Sequence, residues 1–94
     1  MNGSKTMHHA NHPDVVKRLK RAEGHLRTVI AMIGDERPCL DLAQQLQAIE
    51  NAIVNAKKAL IHDHIIHCIE QSLKAPGPKR KSALKEFAAI AKYL

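Results

Sequence analysis

From Pro38 onward the apolar residues Leu42, Leu46, Ile49, Ile53, Ala56 and Leu60 step by four, three, four, three and four. That alternation is the seam of an amphipathic helix, and a seam this long demands a helical partner, in this chain or in another copy. Continued, the rhythm reaches His64 and then His67 or Cys68. These metal-competent side chains therefore end the packing stripe and do not lie on its wet side.

A second helix precedes the first. Pro13 suits an opening helical turn and Asp14 the positive helix end. Val15, Leu19, Ala22, Leu26, Val29 and Ile33 then recur at spacings of four and three. Gly34 reads as the C-cap of this helix. Gly24, inside it, costs about 1 kcal/mol relative to Ala, either to permit a close helix crossing or as a tolerated defect. Residues 35–38 form a short turn, and the seam helix starts at about Pro38. Lys74 to Lys81, with Pro76, Gly77 and Pro78, reads as a basic loop. Ser82 then caps a last helix whose apolar face is Leu84, Phe87, Ile90, Ala91 and Leu94. The expectation is an all-α chain of three helices: a flexible histidine-bearing arm over residues 1–12 and one domain over 13–94. The composition agrees, at 45% hydrophobic but 2% aromatic. Ala, Ile and Leu suit helix packing, and so small a chain gains buried surface by helical oligomerisation.

The net charge of +6 favours a polyanionic partner, nucleic acid before membrane. Lys17, Arg18, Lys20, Arg21 and Arg27 lie opposite the apolar stripe of the first helix, and Lys79, Arg80 and Lys81 add a second basic run. A charge run is often only a solvated face, but these runs are nearly all of one sign. As phosphate contacts they give salt-dependent DNA affinity through counterion release. Two cysteines without a signal peptide indicate reduced thiols in the cytoplasm, and nothing approaches the length of a membrane span.

The stretch KKALIHDHIIHC concentrates His62, His64, His67 and Cys68 on about one and a half helical turns. His64 and Cys68, four apart, share a face and can reach one ion. Cys39 lies 25 residues before His64. On one unbroken helix that is about 37 Å, too far for one ion within one chain. An antiparallel homodimer brings the start of one helix beside the end of its copy and makes two such sites by symmetry. His8, His9 and His12 are further candidate ligands that close over the metal. His62 and His67 point elsewhere on the helix, and His25 reads as structural. Three ligands plus a histidine arm suit a reversible sensor better than a closed structural zinc site. No Gly-rich phosphate loop, His-Glu-x-x-His motif, zinc-finger spacing, helix-turn-helix signature or aromatic RNA platform is present, and an enzyme is not expected.

The run RLKRAEGHLRTVIAMI, then Cys39, then AQQLQAIENAIVNAKKAL with IHDHIIHC, resembles the CsoR/RcnR family of bacterial metal-sensing repressors. The likeness is close over residues 13–72 and loose over the last helix. The spacing Cys-(24)-His-(3)-Cys matches the family's ligand pattern. The resemblance implies an all-α fold and dimers built on an antiparallel four-helix bundle that pair into tetramers, with ligands from both subunits. It implies an apo-protein that binds operator DNA, represses an efflux gene and loses DNA affinity on binding metal. Carried over by position, Cys39, His64 and Cys68 are the core ligands, and Lys17, Arg18 and Arg21 match basic positions implicated in DNA contact. Near Asn55, Lys57 and Lys58 stand where copper-sensing relatives carry arginines.

Two thiolates and an imidazole suit trigonal Cu(I). The histidine arm, and Pro38 where copper sensors often carry Tyr, point instead to Ni(II) or Co(II), with His8, His9 or His12 as the added ligand. A formaldehyde- or persulfide-responsive thiol sensor of the same family is the non-metal alternative. A helical metal buffer without DNA activity is the alternative outside the class, and the basic first helix argues against it.

Overall fold

The computed structural model describes residues 12–74 and 76–94; His8 and His9 lie outside them. The described chain is three helices: α1, Pro13–Gly34; α2, Cys39–Lys74; and α3, Gly77–Ala91. No strand occurs among the described residues. The all-α, three-helix expectation holds.

α2 is the long element, 36 residues without an internal Pro or Gly to break it. It starts where the Pro38 carbonyl accepts the Leu42 N–H at 3.2 Å, and Asp41 in its first turn and Lys74 in its last suit the helix dipole.

Two expected boundaries move. The basic stretch before Ser82 is not a loop, because α3 already begins at Gly77. Pro78 is tolerated there because the missing N–H in a first turn has no intrahelical acceptor to lose. The Arg80 N–H closes the first turn on the Pro76 carbonyl at 2.9 Å. Lys79, Arg80 and Lys81 are therefore helical. The Arg80 Nε also donates to the Ser72 carbonyl at 3.0 Å, satisfying one of the carbonyls that the end of α2 leaves without a helical donor.

Gly34 is not the C-cap of α1 either. No described glycine has positive φ; the left-handed residue is Glu36, at φ 57°. Around it the Glu36 N–H donates to the Ile33 carbonyl at 3.0 Å and the Arg37 N–H to the Met32 carbonyl at 3.1 Å. This is the Schellman arrangement, displaced two residues past the glycine. A Cβ at Gly24 would meet nothing nearer than the Arg27 guanidinium at 4.0 Å, so no crossing within the chain requires that glycine.

The chain divides into two compact units along α2. In the unit Pro13–Ala56, α1 buries Val15, Ala22 and Val29, seven apart, and α2 buries Ile49 and Ala56 on the same period. His25 joins the two helices, its Nε2 2.6 Å from the Gln45 Oε1, in keeping with its structural reading. Part of each expected stripe stays open: Leu19 and Leu26 on α1 and Leu46 and Ile53 on α2 are 42–47% exposed. One neighbouring helix covers one edge of a seam, not both. In the other unit, which holds His12 and residues 57–94, α2 buries Ile61 and Cys68, again seven apart.

A left-handed β-carbon costs about 1 kcal/mol or more at Glu36, partly offset by the greater freedom of an unfolded glycine. Glu36→Gly is therefore expected to raise unfolding free energy by up to about 1 kcal/mol, read as a higher midpoint in urea at unchanged slope.

Candidate metal centre

The i, i+4 relation between His64 and Cys68 becomes a contact on α2. Cys68 Sγ and His64 Nε2 are 3.3 Å apart. α3 adds a third donor that sequence reading missed, with Glu86 Oε2 3.9 Å from His64 Nε2. One atom each of His64, Cys68 and Glu86 lies within 4.8 Å of the others, the one such His/Cys/acid group among the described residues. Nothing in the pattern pointed to Glu86. Its approach depends on the two-residue break after Lys74 and on α3 starting at Gly77.

Cys68 is buried and Cys39 exposed. Burial pushes the Cys68 thiol above its ordinary value of 9.0, and the nearby Glu86 charge adds to the shift. A thiol kept protonated can donate its S–H to the His64 Nε2 when that nitrogen carries the lone pair. Cys68 thus sits as a neutral thiol against the imidazole, with the Glu86 carboxyl nearby. A cation held there would displace the thiol proton.

Cys39, the first residue of α2, does not join them. The 25 residues of unbroken helix between Cys39 and His64 rise about 37 Å. His12 lies outside the three-residue group as well. Its side chain is 16% exposed and its Nδ1 is 3.6 Å from Asp63 Oδ2. His62 is exposed and His67 half-buried.

The candidate DNA residues Lys17, Arg18, Lys20, Arg21, Arg27, Lys57, Lys58, Lys79, Arg80 and Lys81 are all exposed. Arg18 Nε donates to Asp14 Oδ2 at 2.9 Å, and Arg27 pairs with Glu23 at 3.6 Å. The Arg18 hydrogen bond and charge hold the Asp14 carboxyl below its ordinary value, so Asp14 stays ionised. Arg18, Arg21, Ala22, His25, Ala52 and Asn55 line an open groove of ≈ 350 Å³ in the Pro13–Ala56 unit. No helix among the described residues is long and apolar enough to cross a membrane.

A family model described as a metal-sensitive transcriptional repressor matches residues 11–93. The copper-sensing transcriptional repressor RicR of Mycobacterium tuberculosis is 34% identical over 79 residues, 83% of this chain and 82% of that one. The copper-sensing transcriptional repressor CsoR of Bacillus subtilis is 32% identical over 77 residues, 79% of this chain and 76% of the other. Among solved structures, the nickel-responsive transcriptional regulator InrS superposes with a TM-score of 0.76 at 28% identity, covering 87% of this chain and 91% of that one.

The two thiols are expected to differ in reactivity. In the reduced metal-free protein, alkylation should modify Cys39 at least about tenfold faster than Cys68, because burial limits both access and thiolate fraction. A thiol raised in the fold ionises first in the unfolded chain. The stabilisation from its neutral form is thus full below about pH 9.0 and lost as pH rises towards the raised value. Denaturant titrations across that range should show the loss, and Cys68→Ala should remove its pH dependence.

Proposed function

This chain belongs to the CsoR/RcnR family of metal-sensitive transcriptional repressors, and from that premise we propose that it holds operator DNA when metal-free and releases it on binding Ni(II) or Co(II). As a family member it is a metal-sensing transcriptional repressor, not an enzyme. The finer reading is a cytoplasmic repressor of a metal-efflux gene. The observation that supports the choice of metal is the group His64, Cys68 and Glu86, which sets a nitrogen and an oxygen donor beside the Cys68 thiol, so that even with the Cys39 of a second copy the site is not all sulfur. Cu(I) prefers soft thiolates, whereas mixed nitrogen, oxygen and sulfur donors suit a borderline divalent ion.

In this reading the site is completed in trans. Two copies associate as an antiparallel four-helix-bundle dimer over the open edges at Leu19, Leu26, Leu46 and Ile53, and Cys39 of each joins His64 and Cys68 of the other. Two dimers pair into a tetramer. One histidine from His8, His9 and His12 supplies a further nitrogen. Cys68, as the thiolate, and His64, through its Nε2 lone pair, would hold the ion, with Glu86 as a further oxygen donor beside them. The helix of Glu86 also carries Lys79, Arg80 and Lys81, so the occupied site changes the setting of a basic segment. Lys17, Arg18, Lys20, Arg21 and Arg27 on α1, with Lys57 and Lys58 on α2, supply the remaining phosphate contacts. Typical couplings of this kind are about 1–3 kcal/mol, or roughly 5- to 150-fold in affinity.

The second reading is a Cu(I)-responsive repressor, favoured by the copper-sensing relatives. A titration of the reduced protein against its own upstream DNA separates the two. Release by Ni(II) or Co(II), with a thiolate charge-transfer band that weakens in the His8/His9/His12→Ala variant, is the expected result. Release by Cu(I) alone, indifferent to the arm, would select the copper reading instead.

The trans arrangement makes its own prediction. Cys39→Ala and His64→Ala/Cys68→Ala homodimers should each lose the charge-transfer site. Co-refolded together, they should regain one intact site per mixed dimer. No recovery in the mixture would sink the shared site.

A further inference from the structure

Three features mark the placement of His12. Its side chain is only 16% exposed, and its Nδ1 is 3.6 Å from Asp63 Oδ2. Its backbone is left-handed, at φ 40°, immediately before Pro13. A residue with a β-carbon seldom adopts that conformation, and the following proline restricts it further. Such a backbone persists where its surroundings over-determine it, and residues held in this way cluster at ligand clamps. Asp63 in turn is the immediate neighbour of His64 on α2.

A histidine that ligates a metal through one ring nitrogen commonly gives the other N–H to a carboxylate, which sets tautomer and ring orientation. At 3.6 Å the pair lies at ion-pair distance, just beyond a hydrogen bond. A carboxylate facing Nδ1 favours the tautomer with its proton there and its lone pair on Nε2. We propose that Asp63 is a positioning residue that selects His12, among the arm's histidines, as the added nitrogen ligand of the metal centre. The proposal rests on the four-ligand Ni(II)/Co(II) reading and narrows its choice of histidine to one. Asp63 acts through His12 alone and does not itself bind the ion.

Two measurements on the full-length reduced protein test this. The first is the ¹⁵N imidazole spectrum of the metal-free protein, assigned with His12→Ala. His12 should be the Nδ1–H tautomer in the parent and in Asp63→Glu, and should revert to the Nε2–H form common in free histidine in Asp63→Ala. The second is Ni(II) affinity by competition with a chelator. Asp63→Ala should weaken it about 10- to 100-fold, the usual cost of losing such an outer partner. Asp63→Glu should restore most of the loss, and Asp63→Ala should cost nothing further in a His12→Ala background. Cu(I) affinity should be unchanged by Asp63→Ala, because a three-ligand site does not use the arm.

If His12→Ala weakens Ni(II) binding but Asp63→Ala does not, or costs as much without His12 as with it, the positioning role is overturned and the four-ligand reading stands. If His12→Ala leaves Ni(II) affinity intact while His8→Ala or His9→Ala lowers it, another histidine is the ligand and the proposal fails. If none of the three matters, the four-ligand reading fails with it.

Discussion

An α-helix cannot be folded back on itself, and the rest of this molecule depends on that constraint. α2 carries Cys39 at its first residue and the His64–Cys68 pair near its other end, with no glycine or proline between them. Within one chain these groups have no route to a common ion. The same rigidity that separates them makes their spacing dependable, because a helix of fixed rise presents both ends to an antiparallel copy in one register. A flexible connection of equal length would allow the thiol to meet the imidazole within a chain. It would also remove the reason for the proposed site to be completed by a second copy.

The site shows a division of labour between local and distant parts of the chain. The His64–Cys68 contact at 3.3 Å is a property of four residues of helix. Glu86 reaches them only because α3 returns after two residues. The carboxylate and the burial of Cys68 act on the thiol in one direction, both opposing the anion. The group is therefore close to neutral at the sulfur, with the Glu86 carboxyl at its margin. It attracts a cation without holding a bare thiolate open to oxidants or electrophiles.

What could be read in advance follows this division. The helices, the i, i+4 pair and the distance to Cys39 depend on periodicity, and periodicity is written in the residues themselves. The basic stretch of Lys79, Arg80 and Lys81 reads as a loop because proline usually breaks a helix, whereas Pro78 in the first turn of α3 is harmless. Gly34 reads as the end of α1 because glycine is the usual left-handed residue; here Glu36 adopts that conformation at a local cost, held by two backbone hydrogen bonds. Glu86 and Asp63 were invisible for another reason. Their roles depend on which side chains a turn or a chain end brings alongside, and no spacing within a single helix encodes that. The seam was identified correctly but not its width. Val15, Ala22 and Val29 were told from Leu19 and Leu26 only once the neighbour was in place.

The unequal exposure of the two cysteines has a kinetic consequence. In the proposed shared site, Cys39, exposed in the single chain, would be the outer sulfur and buried Cys68 the inner one. An ion delivered by a small-molecule carrier would then meet the outer sulfur first and pass inward by associative exchange. Loading would have an order, and unloading would run through it in reverse. The occupied lifetime would depend on how readily the outer sulfur lets a competing chelator approach, so the response could be fast even where the equilibrium affinity is high.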